Sequence, residues 1–287
     1  MTDRRWLSFG IALAVAACAP HRGGAPAAPA APAAPAAPAA LRVATYNIEY
    51  GGGDLERTAA ALRALDVDVA ALQEVDVHWA ARSGFVDQAT ALGERLGMRV
   101  RFAPIYTLPG ADSVPREFGV ALLTRYVIVR WRNDSLTRLS TQDANAAPTR
   151  MPGLLDATLD VRGTPVRVLV THLDYRADPR VRAAQVADLL AVLDEWRTPT
   201  LLFGDLNAPP DAPELQPLLG RLRDAWPDSA GTGLTYPSDA PAKRIDYVLV
   251  SPQFVVRSAT VPVTLASDHR PVVVELTLRR GTRAAGP

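Results

Sequence analysis

Asp205 and Asn207 lie two residues apart in Leu201-Leu202-Phe203-Gly204-Asp205-Leu206-Asn207-Ala208-Pro209-Pro210, where an apolar run ends in Gly and two prolines then stop it. A carboxylate and an amide delivered together at a strand's end can bind a metal ion, orient a water or hold a phosphate. Period-two geometry places both on one side of the strand and Leu206 on the other. The pair equally suits a turn, because Asp and Asn side chains bond nearby backbone. Other stretches decide between the two. Four more strand ends carry groups of this kind: Asn47, Glu74, His172, and Asp268 with His269. Asp246 differs in lying inside an apolar strand, where an unpaired carboxylate is costly, so it requires a partner such as a His. Each group alone reads as a cap, a surface charge or a structural His. One at each strand end across a whole domain is an arrangement for phosphate and hard-metal chemistry.

The elements that must position these groups alternate strand and helix. Leu41 to Ile48 alternates and ends at Gly51-Gly52-Gly53; Asp54 then suits the N-cap of a helix to Leu65. The three glycines lack the following Lys-Ser/Thr of a phosphate loop and read as a turn. Val67 to Leu72 predicts a second strand and Phe85 to Leu96 a helix. Further strands are expected over Met98–Phe102, Val120–Leu123 and Tyr126–Trp131, with a Pro/Gly loop from Pro104 to Pro115 and a long polar loop from Asn133 to Pro152. Leu154–Val161 and Val166–Val170 form a hairpin, Pro179–Trp196 a helix, and Pro213–Leu219 a short helix. Arg244–Ser251, Phe254–Val261 and Val272–Leu278 complete the strands. With no internal repeat and no second linker, residues 41–279 read as one α/β domain, and 280–287 as a tail.

Ahead of that domain, Arg4 and Arg5 precede an apolar run from Trp6 to Ala17, too short for an ordinary membrane span and suited to a signal-peptide core. It ends Val15-Ala16-Ala17-Cys18, which resembles a bacterial lipobox, so residues 1–17 are expected to be a lipoprotein-type signal peptide and Cys18 a lipidated anchor. Cys18 is the only cysteine, which excludes an intramolecular disulfide. Residues 18–40 are Ala/Pro-rich, with proline at every third position in Pro32-Ala33-Ala34-Pro35-Ala36-Ala37-Pro38, and form an extended tether. The expected location is the bacterial cell envelope, at the outer membrane or in the periplasm, or otherwise secretion.

The chain has 287 residues, 48% of them hydrophobic and 21% charged, enough for a sizeable core. Its 31 basic and 30 acidic side chains balance once Arg4, Arg5 and Asp3 leave with the signal peptide. Bulk nucleic-acid binders need clustered excess positive charge, so this balance counts against one.

Taken in order, Thr45-Tyr46-Asn47-Ile48, Leu72-Gln73-Glu74-Val75, Thr171-His172-Leu173, Gly204-Asp205-Leu206-Asn207, Ile245-Asp246-Tyr247 and Ser267-Asp268-His269-Arg270-Pro271 resemble the motifs of the endonuclease/exonuclease/phosphatase superfamily, the deoxyribonuclease-I-like fold. The compact bacterial metal-dependent hydrolase branch is the nearest in character, itself similar to proteins of GPI-anchor and sphingomyelin chemistry. The resemblance implies a four-layer α/β sandwich, two mixed β-sheets packed face to face with helices on the outer faces. It implies hydrolysis of a phosphate ester with Mg2+ or Mn2+. Glu74 would be the principal metal ligand, helped by Asn47 and, for a second or migrating ion, by Asp268, Asp205 and Asn207. His269, oriented by Asp246, would act as general base or stabilise charge, and His172 would donate to a phosphate oxygen. Asp205 would orient the attacking water or bind metal, and Asn207 would steady the phosphate or that water. Leu206 replaces the usual Phe of Gly-Asp-Phe-Asn, a change on the buried side, and no basic insertion or aromatic wedge of the DNA-repair kind is present. A small or lipid-derived phosphodiester or phosphomonoester is the first expected substrate for a monomer held at the membrane through Cys18. Extracellular nucleic acid is the second, and a non-catalytic binding module is the reading from a different class.

Overall fold

The computed structural model describes residues 39–194 and 198–279; the expected signal peptide, Cys18, nearly all of the expected tether and the tail from 280 lie outside the described residues. The first strand, β1 (Ala39–Asn47), begins two residues before the expected start of the domain at Leu41. Ala39 and Ala40 pair with Leu278 and Thr277, so backbone pairing rather than composition sets the boundary.

Twelve strands form two six-stranded mixed sheets. The first holds β1, β2 (Val69–Val77), β3 (Arg99–Leu108), β4 (Arg116–Thr124), β11 (Phe254–Thr260) and β12 (Val272–Leu278), in the order β11-β12-β1-β2-β4-β3. The second holds β5 (Val127–Arg138), β6 (Thr149–Val161), β7 (Thr164–His172), β8 (Thr200–Asp205), β9 (Arg223–Asp224) and β10 (Asp246–Val250), in the order β5-β6-β7-β8-β10-β9. Alternation sorts the side chains into layers. Leu41, Val43, Val168, Val170, Leu201 and Phe203 meet between the sheets, while their neighbours face outward. Helices α1 (Leu55–Leu65) and α2 (Gln88–Leu96) bury Leu62 and Leu92 against Tyr46 and Leu72 of the first sheet. Helices α3 (Arg180–Asp194) and α4 (Gln216–Arg221) bury Leu189 and Leu218 against Leu202 and Leu249 of the second. Each such fully buried side chain contributes about 1.5–3 kcal/mol relative to exposure. The result is the expected four-layer sandwich.

Three expected boundaries move. The helix after β2 starts at Gln88 because Asp87 caps it, accepting from the Thr90 N–H at 2.9 Å, while Phe85 is left-handed. The expected Pro104–Pro115 loop is partly strand: β3 runs through Pro104 to Leu108, tolerated because β3 is an edge strand and its register slips there. The polar stretch expected to be a loop from Asn133 to Pro152 is mostly sheet, with Asp134 paired to Leu154 and Arg138 to Thr149, leaving only residues 139–148 as the loop. Its polarity reflects the exposed edge strand β5, not absence of pairing.

Sheet directions bring the candidate residues to one end. β7 and β8 run parallel and end at His172 and Asp205, which pair; β10 runs against β8, so its first residue, Asp246, pairs with Asp205 from the other side. Likewise β1 ends at Asn47 beside the start of antiparallel β12, where Asp268 and His269 have just been delivered.

Candidate active site

His172, Asp205 and Asp246 have the same parity as the inter-sheet residues Val170, Phe203 and Val248, so regular alternation turns all three into the gap between the sheets. Asn47 has the parity of Val43 and arrives there by the same rule. Glu74 does not. Ala70 and Leu72 face outward, so an unbroken strand would carry Glu74 outward too. Between Leu72 and Val75 the pairing to β4 slips, placing Gln73 and Glu74 against one residue, and Glu74 adopts φ +55°. The bulge turns Glu74 toward the cleft and restores the outward set from Val75 onward.

Asn207 reaches the cleft by a turn and not by strand period, since β8 ends at Asp205. Asn207 is left-handed at φ +52°, and its N–H donates to Asp205 Oδ1 at 2.9 Å. Its Nδ2 donates to the Leu173 carbonyl and to His172 Nε2, both at 3.0 Å. A carbonyl only accepts, so Nδ2 must face it, and His172 Nε2 is then an acceptor whose ring proton sits on Nδ1. Burial pushes His172 below its ordinary value, in keeping with the neutral form. Leu206 points away into the core under α3, as expected.

The Asn47 amide joins the two sheets. Its Nδ2 donates to Glu74 Oε1 at 3.0 Å and to Asp205 Oδ2 at 3.1 Å, and its oxygen accepts from the Glu49 N–H at 3.0 Å. His269 sits among three carboxylates: Nδ1 lies 2.9 Å from Asp246 Oδ2, and Nε2 lies 3.7 Å from Asp205 and 3.9 Å from Asp268. The partner required for Asp246 is therefore His269, joined by the Thr235 hydroxyl at 2.6 Å. Asp246 Oδ1 has no hydrogen-bond partner among the described residues. Burial would push His269 down, but the Asp246 charge and hydrogen bond outweigh it and carry His269 up to about 10. Burial pushes Asp205 up to about 6, with the Asp246 charge adding to the rise.

Glu74 and Asp268 are both raised by burial, and the Glu74 charge pushes Asp268 further. Carboxyls that burial raises above their ordinary range fit a hard divalent cation, whose charge would favour their ionised forms. Asp205, Asp246 and His269 also bring possible ligand atoms within 4.8 Å of one another. Within that trio Asp246 is already bonded to His269, and Asp205 accepts from Asn47 and the Asn207 N–H, whereas the Asp268 side chain on the Glu74 side is 40% exposed.

Several groups here were given no role by the sequence. Glu49 Oε2 accepts from the Asp268 N–H at 3.1 Å and so ties the loop before β12 to β1. Ser267 Oγ donates to the Asn47 carbonyl at 2.7 Å and accepts from the His269 N–H at 3.1 Å. Tyr236 packs its ring 4.8 Å from His269. Thr235 and Tyr236 lie in a polar loop with no periodicity, and only folding brings them here. From Glu49 to Gly53 five consecutive residues have positive φ, a left-handed turn that the three glycines make feasible and that Glu49 and Tyr50 enter with strain.

Comparison with known proteins agrees with this geometry. The sequence profile of the Endonuclease/Exonuclease/phosphatase family matches residues 44–269. Among solved structures, an endonuclease/exonuclease/phosphatase from Beutenbergia cavernae is similar with 27% identity and a TM-score of 0.63, over 84% of this chain and 72% of that one. A mannosyl-6-phosphatase from Bacteroides thetaiotaomicron shares the fold at 20% identity and TM-score 0.65, over 82% and 99% of the two chains. The human Nocturnin catalytic domain with bound sulfate shares it at 23% identity and TM-score 0.64, over 84% and 94%. No curated protein matches the chain.

Proposed function

Because the chain belongs to the endonuclease/exonuclease/phosphatase family, we propose that it is a divalent-metal-dependent phosphoesterase acting on a small or lipid-derived phosphate ester. The supporting observation is the imidazole of His269 set between Asp246, Asp205 and Asp268 at 2.9, 3.7 and 3.9 Å. Glu74 and Asp268 would hold Mg2+ or Mn2+, with the second lone pair of the Asn47 amide oxygen beside them. The bound ion supplies neutralising charge for the phosphate and for the departing alcohol oxygen. His269, charged through Asp246, donates from Nε2 to a phosphate oxygen and stabilises the charge that builds there. Asp205 accepts one proton from the attacking water as the water oxygen bonds to phosphorus. The ester P–O bond breaks, and the alcohol leaves with a proton, which resets Asp205. His172 and Asn207 flank Asp205; an entering phosphate favours protonation of His172, which then donates to it.

Release of nitrophenol from bis-nitrophenyl phosphate in Mg2+ or Mn2+, lost in EDTA and in His269→Ala, tests the reaction class. No hydrolysis of any ester with any divalent ion would leave only the binding-module reading. Parallel assays on sphingomyelin, nucleotides and plasmid DNA separate the small-ester reading from a nuclease. We also propose export of the chain as a monomer and anchoring through lipidated Cys18, on the strength of Arg4-Arg5, the apolar run and Val15-Ala16-Ala17-Cys18. Cys18→Ser should move the protein from the membrane to the soluble fraction, and unchanged fractionation would remove the anchor.

A further inference from the structure

A cavity of about 200 Å³ opens beside Glu74 and His172 on the side away from Asp268. Tyr106 and Phe118 line it with their rings stacked at 6.4 Å, and Ile105 and Leu139 add apolar surface. Besides Glu74, His172 and Asp174, whose carboxylate bonds Arg176, its polar groups include two buried donors. Gln185 is 1% exposed; its Oε1 accepts from the Asp174 N–H at 2.8 Å, and its Nε2 has no partner among the described residues. Arg138, also buried, gives three N–H groups to the carbonyls of Pro152, His172 and Gly153 and has no carboxylate partner among the described residues. A guanidinium has five N–H groups, so two remain. A buried donor left unpaired costs about 1–3 kcal/mol, so these groups call for acceptor oxygens.

We infer that this cavity receives a hydroxyl-bearing ring, the furanose, pyranose or cyclitol of the substrate's alcohol, with one face on Tyr106 and Phe118 and its oxygens on Gln185 and Arg138. The inference rests on the phosphoesterase reading and narrows its substrate. Adjacency decides which part of a substrate enters: a phosphate held at Glu74 and His172 puts the first group after the ester oxygen into the cavity. In a nucleotide that group is the ribose and in a sugar phosphate the hexose. A single ring suits a cavity of about 200 Å³. A lipid chain would leave the donors unpaired, whereas a ring with an apolar face and acceptor oxygens matches both the walls and the floor.

The test uses the full chain with Mg2+ and compares kcat/KM for a hexose 6-phosphate, an inositol monophosphate, a ribonucleoside 5′-monophosphate and acyclic glycerol 3-phosphate, each also as its methyl diester. At least one ring ester should exceed the acyclic one by about tenfold or more, and which ring does so identifies the source. Gln185→Glu keeps the acceptor for Asp174 and removes the donor; Leu139→Trp fills the space. Both should shrink the ring-to-acyclic ratio about tenfold, chiefly through KM. A ratio near one in the wild type, or one that neither variant moves, overturns the inference while leaving the phosphoesterase reading intact. Saturation-transfer NMR with the free methyl glycosides, inositol and ribose needs no turnover. Transfer to ring protons in the wild type and its loss in Leu139→Trp support the cavity assignment even if no ester is hydrolysed; equal transfer in both overturns it.

Discussion

On the second sheet, His172, Asp205 and Asp246 ride on regular ladders, each paired directly with its neighbour across β7, β8 and β10. On the first, Glu74 reaches the same cleft only through a bulge with φ +55°, and Asp268 is held by Glu49 from a left-handed turn. The difference follows the two kinds of chemistry proposed for the two halves. Proton transfer needs buried groups at fixed separation, and Asp205 and Asp246 are 1% and 2% exposed. A metal needs donors that reach toward solvent, and Asp268 does so. Rigid ladders make the first half, and strained backbone aims the second. Asn47 bridges the two, bonding one carboxylate from each.

That contrast can be broken by substitutions in each half, read with and without added metal. The largest effect is expected for the buried proton-handling pair, Asp205 on its ladder and His269, which the loop before β12 brings against Asp246. His269→Ala and Asp205→Asn should each lower kcat by about 10²–10⁴-fold, with no recovery at high Mg2+. Glu74→Gln should lower kcat/KM by about 10–100-fold or more at moderate Mg2+ and regain part of it as Mg2+ rises. If the two classes respond alike to metal, the division into halves fails. Binding can be read without turnover: Mg2+ at about 100 times its Kd should stabilise the wild type by about 2.7 kcal/mol in thermal melts, an increment missing from Glu74→Gln and kept in His269→Ala.

Smaller effects sharpen the comparison. Gly52 has φ +52°, and a Cβ there would lie 3.1 Å from the Ala266 carbonyl oxygen. Gly52→Ala should cost about 1–2 kcal/mol in denaturant unfolding and raise the Mg2+ needed for half-maximal activity, because the strained turn and the Asp268 loop move together. Thr235→Val removes the hydroxyl from Asp246 at 2.6 Å and should cost about 1–3 kcal/mol with no change in that Mg2+ requirement.

Much was legible because alternation is local. The apolar runs ending at Asn47, His172 and Asp205 and the one beginning at Asp246 state by parity which face each group takes, and the need of Asp246 for a partner followed from its place in an apolar run. The ordered motifs carried the family resemblance that implied the four-layer sandwich. Bulges and loop closures were not legible. Nothing in Leu72-Gln73-Glu74-Val75 marks a left-handed glutamate, since its residue types suit plain strand as well, and the slip is decided by pairing with β4. Asn207 reached its expected neighbourhood for a reason other than the expected one, a side-chain-capped turn beyond the strand end. Ser267 bonds Asn47 across 220 residues of chain, and Gln185 and Arg138 meet one cavity from a helix and an edge strand. By itself, then, the sequence determined the strand faces and the chemical inventory of the cleft, because those follow from residue type and period, and it carried the family resemblance that implied the layers. Tertiary structure alone decided the aim of Glu74, the hold of Glu49 on Asp268 and the donor-floored cavity, because each depends on contacts between segments whose separation no local pattern encodes.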